Sequence, residues 1–407
     1  MQHLSVRMNS AMHQPLPLSV YLHLPWCQSK CPYCDFNSHP LHGELPQDAY
    51  VKALAADMDG NRRWLSNRTI HSVFFGGGTP SLFSARSIGQ LLEGLAAYSR
   101  LDDSAEITLE ANPGSAEVAR FCDYRTAGVN RLSLGIQSFN DASLKALGRI
   151  HNAAQACAAI DAAHAAGFEA INLDLMHCLP GQRVPEALRD LDTALSFAPQ
   201  HLSLYQLTIE PNTRFAAQPP RLPDEDTAWA ICAGIEEKTA AAGLQHYEVS
   251  AFARAGSQCR HNLNYWQFGD YLGFGAGAHS KVTTADAIRR WWRPRHPRNY
   301  MRTAERAPDQ VQRVSDNELA FEFLLNALRL KAGFSIDLFE ERTRLKWRGI
   351  ASAVDKATMR GLLEVRGRQI LATEHGWRFL DDLLQDFLPI GMGGRSACYD
   401  VLAPPPG

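Results

Sequence analysis

Trp26-Cys27-Gln28-Ser29-Lys30-Cys31-Pro32-Tyr33-Cys34-Asp35-Phe36 is the stretch from which the rest of the chain is read. Three cysteines stand at Cys-x3-Cys-x2-Cys spacing, close enough for one loop to aim three thiolates at one centre. A structural zinc takes four ligands, and a ferredoxin-type cluster takes four cysteines. Three sulfurs point instead to an iron–sulfur cluster with one open iron, and an open iron is a place for a substrate or cofactor. The remaining cysteines, Cys122, Cys157, Cys178, Cys232, Cys259 and Cys398, are scattered and read as small buried hydrophobes or incidental thiols.

Outward from that loop the chain alternates strand and helix. Residues 19–24 are rich in strand formers and run straight into the cysteines. Strands are predicted over 69–75, 106–111, 131–136, 170–176 and 201–207. Helical patterns fill 47–66, 84–98 with Ser84 as N-cap, 115–127, 141–147, 153–166 and 184–197. Strands alternating with helices imply parallel βαβ units, which gather functional groups at the C-terminal strand ends. The cysteines, Gly76-Gly77-Gly78-Thr79-Pro80, Glu110, Gln137 and Asp174 all fall at or just after such ends. Periodicity alone leaves an open six-stranded barrel, a full eight-stranded barrel and an open sheet as alternatives.

Beyond a proline-rich connection at 211–223 the pattern changes. A helix is expected over 224–242, an irregular, polar-aromatic and glycine-rich stretch over 246–279, and a loop or hairpin with a basic face over 285–309. That face carries Arg289, Arg290, Arg293, Arg295 and Arg298. From 315 onward helices are followed by a hairpin, 362–365 and 369–371, turning at Gly367. This resembles a small winged-helix module, and its balanced charge favours a packing lid over DNA binding. The expected division is a disordered leader over 1–17, with Met8 and Met12 as alternative starts, an α/β core over 18–215, a barrel-closing α+β region over 216–310 and the winged-helix-like module over 311–407. Apart from Pro404-Pro405-Pro406 there is no low-complexity tract.

Bulk composition narrows the function classes. In 407 residues, 41 Lys+Arg against 43 Asp+Glu give a net charge of −2, which disfavours nonspecific attraction to nucleic acid. No apolar run is as long as a membrane span, and the N-terminus lacks the layout of a secretion signal. Reduced cysteines and a labile cluster fit the cytoplasm.

Individual residues carry chemistry by type and place. The glycine run lets backbone N–H and C=O groups approach a ligand. Glu110 could accept hydrogen bonds from ribose hydroxyls or an ammonium. Gln137 supplies an amide that donates and accepts. Arg149 could grip a carboxylate through two parallel bonds. Asp174, a charge within an apolar strand, implies a waiting partner.

The cysteine spacing, with an aromatic just before the last cysteine, resembles the radical S-adenosylmethionine (SAM) superfamily. The resemblance implies a partial (β/α)6 barrel and a [4Fe-4S] cluster on Cys27, Cys31 and Cys34, whose open iron chelates SAM. Across nearly the whole chain the match is to the oxygen-independent coproporphyrinogen III oxidase branch. On that match Tyr21, Gly78 and Glu110 would touch the cluster-bound SAM, and Tyr33, Thr79, Gln137, Arg149 and Asp174 would line the same pocket or hold a second SAM. Within the branch, residues 19–27, 31–39, 172–177 and 261–266 are most similar to a group of heme chaperones. True oxidases of the branch carry a fourth cysteine two residues after the third, where this chain has Phe36, and Cys178 stands where that group has glycine. The resemblance thus implies a carrier that hands heme to acceptors such as respiratory enzymes, with peripheral membrane contact and a homodimer as further expectations. The alternative is radical decarboxylation of coproporphyrinogen III in porphyrin biosynthesis. His261, Tyr265, His246 and His279 are candidate heme ligands, and the arginines of 289–298 could meet heme propionates or a membrane surface.

Overall fold

The structure, a computed structural model, describes residues 16–308 and 311–388; Met8, Met12, Cys398 and Pro404–Pro406 lie outside them. Six parallel strands form the centre: β1 (Leu18–Leu24), β2 (Thr69–Gly77), β3 (Arg100–Ala111), β4 (Arg131–Gln137), β5 (Ala170–His177) and β6 (His201–Gln206), hydrogen-bonded in that order. β1 is buried at every position, as a strand covered on both faces must be. The helices between strands present one apolar stripe to this sheet, as Ile88, Leu91, Leu92 and Leu95 do on Ala85–Ala96. Ser84 caps that helix by accepting from the Ser87 N–H at 3.3 Å.

Three expectations over the first half change. The helix expected over 47–66 breaks at Asn61 into Gln47–Gly60 and Arg62–Leu65. β3 begins at Arg100, because its polar first half pairs with Thr69 and Ile70 before a register break. The helix expected over 115–127 is two short ones, Ser115–Val118 and Phe121–Thr126.

The region after β6 is not irregular, and it does not close a barrel. It lengthens the sheet at both edges. β7 (Gln245–Glu248) and β8 (Ala251–Ala253) pack antiparallel beside β6. β9 (Asp270–Phe274) joins β1 in parallel and is followed outward by β10 (His279–Thr283), β11 (Ile288–Trp292) and β12 (Gln312–Arg313). The result is an open twelve-stranded sheet. The strands here are too short for alternation to register, and only long-range pairing defines them.

The supposed basic face is largely spent inside the protein. Arg293 is buried against Asp57, and Tyr300 donates to the same carboxylate at 2.9 Å. Arg290 pairs with Glu322 at 2.7 Å and Arg289 with Asp286 at 2.6 Å. Arg295 and Arg298 stay exposed. The C-terminal module has its own core around Phe323, Phe334 and Phe339. Its hairpin, Leu363–Arg366 and Gln369–Ala372, turns at Gly367 with φ +62°. Arg329 joins it to the sheet, lying 4.3 Å over the Trp266 ring and 3.5 Å from Glu248.

Cys178, the residue that departs from glycine, has φ +56° at the end of β5. Glycine adopts that conformation freely and other residues do not, so Cys178→Gly should raise stability by about 1 kcal/mol, read as a higher thermal midpoint.

Buried histidines and buried carboxyls respond to acid in opposite senses. Burial holds His23, His151, His177 and His246 at about 4 and His261 at about 3. Each is neutral when folded and takes a proton when unfolded below its ordinary value near 6.5, so its contribution to stability is lost as pH falls through that range. Burial raises Asp57 and Asp174 to about 6, which acts in the opposite sense over the same range. His201 and His279 act with the histidines, while Glu110, Asp190, Glu248 and Glu322, also raised by burial, act with Asp57 and Asp174, so the two sets oppose each other as pH falls.

Candidate functional site

The C-terminal ends of the six central strands surround one cavity of ≈ 340 Å³, and each strand or the loop after it contributes. The loop after β1 brings Cys27, Cys31, Tyr33 and Cys34. β2 brings Gly77, Gly78 and Thr79; β3 brings Glu110 and Asn112; β4 brings Gln137; β5 brings Asp174 and Met176; β6 brings Tyr205. Arg149 completes the wall. Of the residues expected to hold the cluster or SAM, only Tyr21 is absent. It lies one layer beneath, 4 % exposed, with its hydroxyl 3.0 Å from His23 Nδ1.

The cysteine loop is fixed from both ends. Trp26 pairs with His39 and Cys27 with Pro40, while the Trp26 ring packs edge-on to Tyr50 at 4.8 Å. Asn37 Nδ2 donates to the Ala276 and Arg295 carbonyls, each at 2.9 Å. Lys30 Nζ donates to the Phe36 and Ser38 carbonyls at 3.2 and 3.1 Å, which folds the loop on itself.

The glycine run works by close approach to its own chain. A Cβ at Gly78 would lie 2.6 Å from the Trp26 carbonyl oxygen, and one at Gly77, where φ is +115°, would lie 2.5 Å from the His23 ring. The Gly78 and Thr79 N–H groups donate to the Leu24 and Trp26 carbonyls at 2.9 and 2.8 Å. The Gly77 N–H donates to Glu110 Oε2 at 3.1 Å.

Charge in the cavity is divided. Desolvation raises Glu110 well above the usual carboxylate range, and Asp174 adds to it; the Gly77 N–H opposes. Asp174 accepts from Asn172 at 2.8 Å and Ser133 at 3.0 Å, neutral donors that leave burial dominant. Two carboxyl groups thus face a ligand space that favours a cation. Gln137 is held at φ +68° beside a bulge in the β4–β5 pairing, a strained backbone of the kind kept at sites.

Arg149 is not free to grip a carboxylate. Its Nη2 donates to Asn112 Oδ1 at 2.5 Å and to the Gly135 carbonyl at 2.7 Å, and its Nη1 lies 3.6 Å from Cys31 Sγ. Asn112 Nδ2 in turn donates to Thr79 Oγ1 at 2.9 Å. A chain of polar contacts therefore joins the glycine loop to a cysteine. Asn112 was not among the residues picked out. Its signal was its place two residues after Glu110, just past the end of β3.

The residues fit a cluster with an open corner. Three cysteines from one loop line the cavity, no fourth cysteine among the described residues does, and a guanidinium stands by one sulfur where thiolate charge would develop. Burial pushes the Cys27 thiol up to about 11 and raises Cys34, so binding iron must displace their protons. Among the described residues no three His, Cys, Asp or Glu side chains converge as around a single ion; a four-iron cube spaces its thiolates more widely.

The heme-ligand candidates lie elsewhere. His261 sits in the helix Arg260–Trp266, 1 % exposed, with Nδ1 3.1 Å from Ser72 Oγ. Tyr265 is buried beside it. His246 stacks on Phe252 at 3.9 Å, and His279 faces Trp292 at 6.0 Å. None of these lines the cavity, nor does any described residue of the C-terminal module.

Residues 21–194 match the Radical SAM superfamily and residues 314–379 match the HemN C-terminal domain. The chain is 48 % identical over 373 residues to the heme chaperone HemW of Escherichia coli (strain K12), covering 91 % of this chain and 98 % of that protein. It is 46 % identical over 377 residues to the heme chaperone HemW of Haemophilus influenzae, with the same coverages. The coproporphyrinogen III oxidase HemN from Escherichia coli, a radical SAM enzyme, superposes with TM-score 0.78 at 22 % identity, covering 92 % of this chain and 90 % of that one, which shows a shared fold.

Replacing Arg149 by Met would leave Asn112 Oδ1 and the Gly135 carbonyl without their donor. Thermal unfolding should show a loss of about 1–3 kcal/mol, and anaerobic reconstitution should load less iron.

Proposed function

Because the chain belongs to the HemW family of heme chaperones within the radical SAM superfamily, we propose that it holds heme for transfer to acceptor proteins while carrying a [4Fe-4S] cluster and SAM. The carrying observation is the convergence of six strand ends on a cavity that, among the described residues, three cysteines line. Cys27, Cys31 and Cys34 would hold the cluster, which when bound supplies an open iron for SAM and an electron for its reduction. Glu110 and Asp174 face the space where the ammonium and sulfonium charges of SAM would lie. The Gly77 N–H orients Glu110, and Gln137 offers an amide that donates and accepts. Arg149 and Asn112 position the loop and keep Thr79 turned to the cavity.

Phe36 supports the chaperone reading over decarboxylation. It lines the cavity mouth, 41 % exposed, at the position where the oxidases of the branch carry a further cysteine. The reading places the protein in the cytoplasm; no helix among the described residues is long and apolar enough to cross a membrane. Acceptors such as respiratory enzymes fit it.

The deciding assay uses anaerobically reconstituted protein. With SAM, reductant and coproporphyrinogen III it should yield no protoporphyrinogen, and it should bind heme stoichiometrically. Turnover would establish the oxidase reading instead. Replacing Cys27, Cys31 and Cys34 together by Ala should abolish the iron–sulfur absorbance. Glu110→Gln should weaken SAM binding by about tenfold, the worth of one charged contact.

A further inference from the structure

Arg149 reaches the cavity wall by a tight route. The helix Asp141–Ala146 ends just before it, and the Arg149 N–H donates back to the Leu144 carbonyl at 2.9 Å. Gly148, at φ +68°, passes so near the cysteine loop that a Cβ there would lie 2.7 Å from Pro32 Cδ. Pro32 directly follows Cys31, and its carbonyl accepts from the Phe215 N–H at 3.0 Å. Two residues beyond Arg149, the buried His151 places Nε2 3.0 Å from the Ile136 carbonyl. The backbone that carries the guanidinium is therefore held on both sides of it, next to the second cysteine.

The guanidinium itself is aimed. Its Nη2 is committed to Asn112 Oδ1 and to the Gly135 carbonyl, at 2.5 and 2.7 Å. The group is planar and rigid, so holding Nη2 also sets Nη1, which stands 3.6 Å from Cys31 Sγ. Neither brace belongs to the cysteine loop: one is the strand β4 and the other lies just past β3. The fork thus stands on strand ends and directs a fixed positive charge at a sulfur. Cys34 has a different neighbour, the neutral hydroxyl of Ser38, with Sγ and Oγ 3.6 Å apart.

The potential of an iron–sulfur cluster depends on net charge and on hydrogen bonds to its sulfurs. Adding one electron makes the sulfurs more negative. A cation and an N–H donor at one of them then stabilise the reduced form more than the oxidised form, and the low dielectric of the cavity wall enlarges the difference.

We propose that Arg149 is a positioning residue that acts through Cys31 to raise the reduction potential of the [4Fe-4S] cluster, so that a milder one-electron donor fills it. The inference rests on the cluster reading above and deepens it. The step is the transfer of one electron from the donor to the cluster. No bond forms or breaks, and no proton moves, because a guanidinium keeps its charge throughout.

The test follows the reduced cluster by electron paramagnetic resonance in the full chain, reconstituted anaerobically and poised with dithionite and redox mediators, each value scaled to the iron bound. Arg149→Gln removes the cation and keeps an amide. At the wild-type midpoint its ratio of reduced to oxidised cluster should be lower by about tenfold, which is about 59 mV for a one-electron couple. Arg149→Lys keeps the charge without the fork, and its midpoint should fall by less. Asn112→Ala leaves Arg149 and all three cysteines in place but frees the fork, and its midpoint should also fall by less. An unchanged or higher midpoint in Arg149→Gln would overturn the proposal and leave the cluster reading standing, even if the variant melts earlier, since that pattern is support of the loop alone. If Arg149→Gln loads no cluster, wild-type midpoints in Arg149→Lys and Asn112→Ala would overturn it. A wild type that binds no iron would defeat the cluster reading itself.

Discussion

There is no room for a side chain where Gly78 passes the Pro25–Trp26 peptide. That steric limit lets the end of β2 dock on the cysteine loop through two backbone hydrogen bonds, and it brings Thr79 beside the sulfurs. The loop makes no regular structure except one two-residue pairing, so its shape depends on such external fixing. Any larger residue at Gly78 would push the loop off the strand ends, and the remaining cavity groups would then face empty space. The glycine run is thus a packing device first, and its N–H groups at Gly77, Gly78 and Thr79 are taken by Glu110 and by the Leu24 and Trp26 carbonyls.

On this frame the cavity separates charge. Carboxyl groups from β3 and β5 lie across from a guanidinium that attends a cysteine, all in a medium of low dielectric. Fields set in this way need no reorganisation when a zwitterionic, cationic ligand arrives. Arg149 is braced at two oxygens before any ligand binds, which fixes it as a support for the loop.

The strands of the core were legible because parallel strands covered on both faces read as largely apolar runs, against which a carboxyl near the C-terminal end is conspicuous. Glu110 and Asp174 stood out for that reason. What stayed hidden was long-range. The arginines of 289–298 read as an exposed face because Asp57, which neutralises Arg293 across 236 residues of chain, leaves no local trace. The strands at 245–253 and 270–283 are too short for their alternation to register. Tyr21 was expected at the ligand on the family match, and it lies buried beneath the cavity with its hydroxyl on His23. Asn112 was missed because an amide beside Pro113 reads as a turn.

A sheet that never closes has two raw borders. One ends on Gln312–Arg313, too brief to template anything. The other, Gln245–Glu248, is covered from outside: Lys331 N donates to the Tyr247 carbonyl at 3.0 Å, and Leu330 bridges to Glu248. The winged-helix-like module therefore acts as a hem. A chain cut before it would present unpaired backbone to its neighbours and invite strand-to-strand self-association, the hazard that unprotected sheet borders carry.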